Sequence, residues 1–206
     1  MPQHCSPLLS DDDRRTLLAL ARRAISQAVS RNSIPDSPSL AQFAHSGGAF
    51  VTLRCNGKLR GCVGRVDSAD SLTEIVAQSA ITAAVADPRF KPLSAPDVSA
   101  LDIEISVISE PFEIAPAEFE LGIHGVIVNC GAARGLLLPQ VASEHNWSRD
   151  EFLDAACRKA GLRAGAWRHP ETRLFAFTAE VFSESGLLSV SQKHSVGVTP
   201  EALPPT

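Results

Sequence analysis

The sequence predicts an α+β fold in two lobes, each a small antiparallel sheet with a helix packed on it. Three observations carry this reading. Strand-type alternation gives way repeatedly to helical spacing, with Gly, Pro, Asn and Ser marking the switches. After an opening helix, the order strand, strand, helix, strand runs twice. The second strand of each unit also holds an Arg-Gly pair, first Arg60-Gly61 and then Arg134-Gly135. Such units bury a sheet face against a helix.

Ser10 followed by Asp11, Asp12 and Asp13 is a helix start, a capping hydroxyl with acids where the helix dipole favours them. Leu17, Leu20, Ala21, Ala24, Ile25 and Ala28 continue it on one face to about residue 30, and a turn-rich linker over 32–38 ends it. A strand from Ala49 to Cys55 then meets Asn56-Gly57, a hairpin signal because both residues accept positive φ. Ser71 and Glu74 form a capping box for the next helix, which Asp87-Pro88 ends. Pro88, Pro92 and Pro96 stiffen a loop carrying Arg89, Phe90 and Lys91. From Ala100 to Ile108 the alternation is clean, with Asp102, Glu104 and Ser106 on the polar face.

A connecting stretch over 111–121 leads to a second hairpin. His124 to Cys130 and Arg134 to Pro139 are its strands, turning at Gly131-Ala132-Ala133. Ser148 and Glu151 cap a helix ending at Gly161, and Leu174 to Phe182 reads as one last strand. The expected domain therefore covers about 12–183, with lobe one at about 12–110, lobe two at about 111–183, and a mobile tail over about 189–206.

The composition is that of an ordinary soluble globular chain, and a net charge of −4 gives no support for nucleic-acid binding. The five cysteines are scattered with no close C-x-x-C pair, and no signal peptide or membrane-length apolar run is visible. The expected setting is cytoplasmic, with reduced thiols. Neither zinc-ligand spacing nor a phosphate-binding glycine loop is present, so no metal or cofactor is expected.

The stretch from Leu59 to Arg65 concentrates the chemistry. Gly61 and Gly64 bracket Cys62, and Arg60 and Arg65 flank the glycines. Glycine inside a strand marks a bulge or a close approach, and cations beside a thiol favour the thiolate that reacts. A two-residue turn would set Arg60 opposite Leu53 and Cys62 opposite Val51, while a three-residue turn would swap the faces. Both remain open at this point.

Several ordered motifs then resemble the AMMECR-one domain family from about Asp12 to Phe182. They are Leu59 to Gly64, Asp87-Pro88-Arg89-Phe90, Glu104-Ile105-Ser106-Val107, His124-Gly125-Val126-Ile127, Arg134 to Gln140, Trp147, Phe152-Leu153 and Cys157 to Leu162. Val85-Ala86 departs from the pattern, where an aromatic residue is expected before Asp-Pro. The resemblance implies a two-lobed fold with a cleft but no established reaction. It also implies association with a Memo-like protein and a radical SAM enzyme that modify an unidentified small-molecule or protein target.

As an enzyme, the chain would use Cys62 as nucleophile, His124 as base and Glu104 to orient that base. His124 opens the second hairpin, so pseudo-symmetry would bring it to the shared cleft; the competing and favoured reading is a histidine bonded to backbone at a strand start. Arg60, Gly61, Gly64, Arg65 and Arg89 would hold the ligand, arginine offering paired donors to carboxylate or phosphate. The rival class is a non-catalytic binding or adaptor module. There Arg60, Arg65 and the Pro88–Pro96 loop accept a peptide or anion, and Cys62 only packs. Alternatively, Asp87 and Arg89 simply pin the proline loop to the helix.

Overall fold

A computed structural model describes residues 9–30, 47–66 and 70–187. The expected linker over 32–38 and the expected tail lie outside these residues. Helix α1 (Asp11–Val29) opens on Ser10, whose hydroxyl accepts the Asp13 N–H while the Asp13 carboxylate accepts the Ser10 N–H. Strands β1 (Gly48–Cys55) and β2 (Lys58–Val66) form the first hairpin. Helix α2 (Leu72–Val85) follows, then a short helix α3 (Ala95–Val98) within the proline loop and strand β3 (Leu101–Ile108).

Strand β4 (Phe112–Glu113) and a 3-10 turn (Pro116–Glu118) fill the connecting stretch. The second unit comprises β5 (Gly125–Cys130), β6 (Ala133–Leu137), a short helix α4 (Gln140–His145) and α5 (Arg149–Lys159). The expected last strand is two strands, β7 (Arg173–Phe177) and β8 (Ala179–Ser183), in different sheets.

Strand order is β2-β1-β3-β8 in one sheet and β4-β7-β5-β6 in the other, with every pairing antiparallel. The repeated unit is visible in these orders. β2-β1-β3 and β6-β5-β7 share one topology, the first strand of each unit lying in the middle. The shared Arg-Gly pair has a common cause. A methyl group built on Gly61 would fall 2.2 Å from the Ala83 carbonyl oxygen of α2, and one on Gly135 2.6 Å from that of Ala156 in α5. Each glycine lets a helix lie directly on its hairpin.

One core joins α1, α2 and the inner face of the first sheet through Leu17, Ile25, Val51, Leu53, Ile75, Ile103 and Ile105. A second joins α5 to the other sheet through Val126, Val128, Phe152, Leu153 and Cys157. Ile108, Ile127, Leu138 and Phe177 form a third cluster, backed by Phe50 and Val66, which fixes the lobes against each other. The chain passes between sheets where Ser109 and Thr178 bond reciprocally. Ser109 N–H donates to the Thr178 carbonyl, and Thr178 N–H to the Ser109 hydroxyl, both at 3.0 Å.

Candidate functional site at the junction of the lobes

Asn56 (φ 50°) and Gly57 (φ 74°) make the two-residue turn. The facing expected from such a turn does not follow, because a bulge at Leu53/Arg54 shifts the register. Arg54 pairs with Leu59 and Leu53 with Gly61, leaving Arg60 as the extra residue. Cys62 therefore lies opposite Thr52, not Val51. Gly61 faces α2, and Cys62 faces away from it on the outer side of the sheet.

β2 is an edge strand, and at Cys62 both backbone polar groups point off that edge. The Cys62 N–H donates to Asp87 Oδ2 at 3.0 Å, and the Cys62 carbonyl accepts from Arg89 Nη2 at 2.8 Å. Asp87 and Arg89 are themselves joined at 2.7 Å through Oδ2 and Nη2 and at 3.0 Å through Oδ1 and Nε. Pro88 stops the helix so that Arg89 can fold back. The Arg89 guanidinium, with the backbone N–H groups of Cys62 and Arg89, holds the Asp87 carboxyl down at about 2 against the pull of burial. The pair does more than pin a loop. It occupies the sheet edge where a further strand would bond.

Across the outer face, Cys62, Thr52, Glu104 and Ser183 stand in one cross-strand row. The Thr52 hydroxyl, itself buried, donates to Cys62 Sγ at 3.4 Å. Burial pushes the Glu104 carboxyl up, and Glu144 and Asp102 add to the shift, while Arg54 and a bond from Gln140 oppose it. Lobe two covers this end of the row with α4. Gln140 Nε2 donates to the Ser106 hydroxyl at 3.0 Å, and Arg54 pairs with Glu144 at 2.7 Å.

Lys159, the last residue of α5, reaches the junction from the other lobe. The residue is exposed to solvent, yet the protein packed beside it pushes the ammonium pKa down. Attraction to Cys62 opposes that shift, and repulsion from Arg89 adds to it. A half-buried thiol thus has a hydroxyl, an ammonium and a guanidinium near it, with a raised carboxyl along the row. That set can support nucleophilic attack by sulfur and delivery of a proton.

A family model described as AMMECR1 matches residues 18–182. The chain belongs to the AMMECR1 family. A protein of Methanothermobacter thermautotrophicus is 42% identical over 189 residues, covering 86% of this chain and 97% of that one. One from Thermofilum pendens is 36% identical over 196 residues, covering 86% and 92%. The crystal structure of the uncharacterized protein PH0010 from Pyrococcus horikoshii superposes with a TM-score of 0.81 at 34% identity, covering 87% of this chain and 95% of that one.

Of the residues expected at the site of this AMMECR1 chain, the structure bonds Arg89 to the Cys62 carbonyl and sets Glu104 in the same cross-strand row as Cys62, with Thr52 between them. Arg60, lifted out by the bulge, lies with its guanidinium 6.0 Å from the Phe90 ring centroid; Arg89 is 5.4 Å from the same ring. Arg65 is engaged with Asp70 at 2.7 Å on the exposed side. Gly64 belongs to the outer face, where a methyl group would fall 2.3 Å from the Phe50 ring.

His124 lies elsewhere. Its ring packs 5.8 Å from Phe112 and 5.7 Å from Phe119, and its Nδ1 accepts the Glu120 N–H at 3.1 Å. Phe119 stacks on Phe152 in the first turn of α5, whereas Lys159 ends that helix. Seven residues of helix separate them by about 10 Å. Burial pushes the His124 pKa down, so the ring is favoured neutral.

Thr52, Asp87 as a partner of Cys62, Gln140 and Lys159 escaped the sequence reading. Lys159 stood inside a quoted motif, Cys157 to Leu162, but its helical position alone reads as a solvated end. Among the described residues, no group of three His, Cys, Asp or Glu could hold a metal ion. Nor is any described helix long and apolar enough to cross a membrane.

Proposed function

We propose that this AMMECR1 chain works on a partner molecule by covalent chemistry at Cys62. The supporting observation is the row of Cys62, Thr52 and Glu104 on the outer sheet face, completed by Lys159 from the second lobe. The Cys62 thiol gives its proton to solvent, and the sulfur attacks an electrophilic carbon, forming an S–C bond as the bond from that carbon to its leaving group breaks. The leaving group departs with its electron pair and takes a proton from Glu104, which burial keeps protonated to higher pH than an ordinary carboxyl. Water or an acceptor X–H then attacks the same carbon, the S–C bond breaks, the sulfur takes the proton lost by the attacking group, and Glu104 regains its proton from solvent. The family resemblance extends the proposal to a shared target with a Memo-like protein and a radical SAM enzyme, in a reducing cytoplasm.

Iodoacetamide tests this. Cys62 is expected to alkylate at least tenfold faster than Cys55 or Cys130, which are also partly exposed. Equal rates would end the proposal.

The clamp on the Cys62 backbone favours a second reading, a binding module in which Arg60 and the Phe90 loop capture an anionic or peptide partner. In that case Arg60→Ala abolishes partner capture and Cys62→Ser preserves it.

A further inference from the structure

We propose that helix α4 is a latch over Glu104, closing on the neutral carboxyl and loosening on the carboxylate. The charge of one residue then governs how firmly lobe two sits on the outer sheet face. Two bonds between the lobes carry this. Ser106 points to the outer face yet is 1% exposed, and Gln140 of α4 donates to its hydroxyl at 3.0 Å. One turn further along the same face of α4, Glu144 pairs with Arg54 at 2.7 Å. Ser106 stands two residues from Glu104 along β3, and Arg54 two residues from Thr52, the partner of Glu104 on β1. All four share the outer face. The two bonds from lobe two therefore land on either side of the half-buried Glu104, and α4 crosses above it.

Among the described residues, the charged groups facing Glu104 are Arg54 of β1, Asp102 of its own strand and Glu144 of α4. β2 and β8 add Cys62 and Ser183 to the row. One guanidinium thus serves three carboxyls, and α4 itself brings one of them. A carboxylate under the helix loses hydration and meets the charge of Glu144; a neutral carboxyl does neither. Gln140 Oε1 is buried with no hydrogen-bond donor, and a neutral carboxyl has a proton to offer there while a carboxylate has none. Arg54 and the Gln140 amide favour the charged form, but burial outweighs them. Lifting α4 hydrates Glu104 and takes Glu144 away, so ionisation and opening favour each other by linkage. The consequence for the reaction rests on the covalent reading of Cys62. There Glu104 becomes a carboxylate when its proton goes to the leaving group, so the latch loosens after that step and admits the water that returns the proton.

Hydroxyl-radical footprinting of the full chain, at about pH 4 and about pH 8, tests this on either side of the carboxylate range. Phe50 and Val141, half-buried at the contact between the lobes, are the reporters, and exposed Val181 is the dose reference. Oxidation of both reporters relative to Val181 should rise about threefold or more from the acid to the alkaline end. Glu104→Gln, neutral at every pH, should keep the low level throughout. Arg54→Gln removes the cation and one of the two bonds, and should raise the level at both ends. The inference is overturned if the parent profile is flat, if Glu104→Gln rises like the parent, or if Arg54→Gln matches the parent throughout. Footprinting does not read the thiol. Glu104-dependent uncovering with a slow Cys62 would sink the covalent proposal and leave the latch standing; a fast Cys62 with a flat footprint would do the reverse.

Discussion

The Asp87 carboxylate accepts the backbone N–H of Cys62 at 3.0 Å across 25 positions of sequence. Asp87 is almost sealed, its side chain 2% exposed, while Arg89 beside it is 54% exposed. Strand β2 is therefore held by a buried anion whose counter-charge reaches solvent.

Removing that anion should be expensive. Asp87→Ala strands the Cys62 N–H and frees Arg89, so unfolding free energy at neutral pH should fall by about 2–4 kcal/mol, read from urea melts. The charge has its own signature. Its folded pKa, about 2, lies below the unfolded value, so its stabilisation is full above the ordinary carboxylate range and disappears as pH falls towards 2. Asp87→Asn should flatten the stability profile between about pH 4 and 2. An unchanged acid limb would show that Asp87 is not the titrating anchor.

Gly61→Ala should be among the most damaging single-methyl changes in the chain. The added carbon meets a helix backbone oxygen at 2.2 Å, and no flexible side chain can yield. Either α2 lifts from the hairpin or the hairpin bends, at about 2–4 kcal/mol. A melting temperature within 2–3 °C of the parent, roughly a 1 kcal/mol effect or less, would show that helix and hairpin are not in contact there.

Residues with short-range meaning announced themselves in the sequence. Ser10, Ser71 and Ser148 cap their helices because a hydroxyl three residues from a carboxylate satisfies local backbone groups. Asn56-Gly57 made its turn for equally local reasons. The bulge after Leu59 was not legible, since it depends on how Gly61 seats under Ala83 of a later helix, and it alone put Cys62 beside Thr52. Leu174 to Phe182 looked like one strand because its apolar pattern is unbroken, yet Thr178 hands the chain from one sheet to the other. His124 was placed in the cleft by pseudo-symmetry. The repeat proved real in topology, but each unit surrounds its own helix, which carries His124 to the far end of α5.

His124 should therefore govern lobe two and leave the thiol alone. Its pKa is pushed down by burial, so the stability it contributes is present above the ordinary imidazole value and lost as pH falls through the folded one. His124→Phe should remove that acid loss while Cys62 alkylates at the parent rate. A tenfold drop in alkylation would restore His124 as the base.

Glu104 runs the opposite way. Its folded pKa lies above the unfolded value, so its favourable contribution is full below the ordinary carboxylate range and declines as pH rises through the folded pKa. Glu104→Gln should stabilise the protein at pH 7–8 more than at pH 4, seen in melts across that range. Equal shifts at both ends would mean the carboxyl titrates as if in water.

Thr52→Val isolates the bond to sulfur. The two side chains match in shape, and Thr52 lies buried in the row, so packing on β1 should survive the exchange. What disappears is the hydroxyl proton donated to Cys62 Sγ at 3.4 Å. A single hydrogen bond contributes about 0.5–1.5 kcal/mol, so the alkylation rate of Cys62 should fall about threefold to tenfold if the hydroxyl supports charge on sulfur during attack. The rates at Cys55 and Cys130 serve as internal references in the same sample, cancelling differences in reagent or global opening. A Cys62 rate that rises instead would mean the hydroxyl was shielding the sulfur, leaving Lys159 as the group that prepares it.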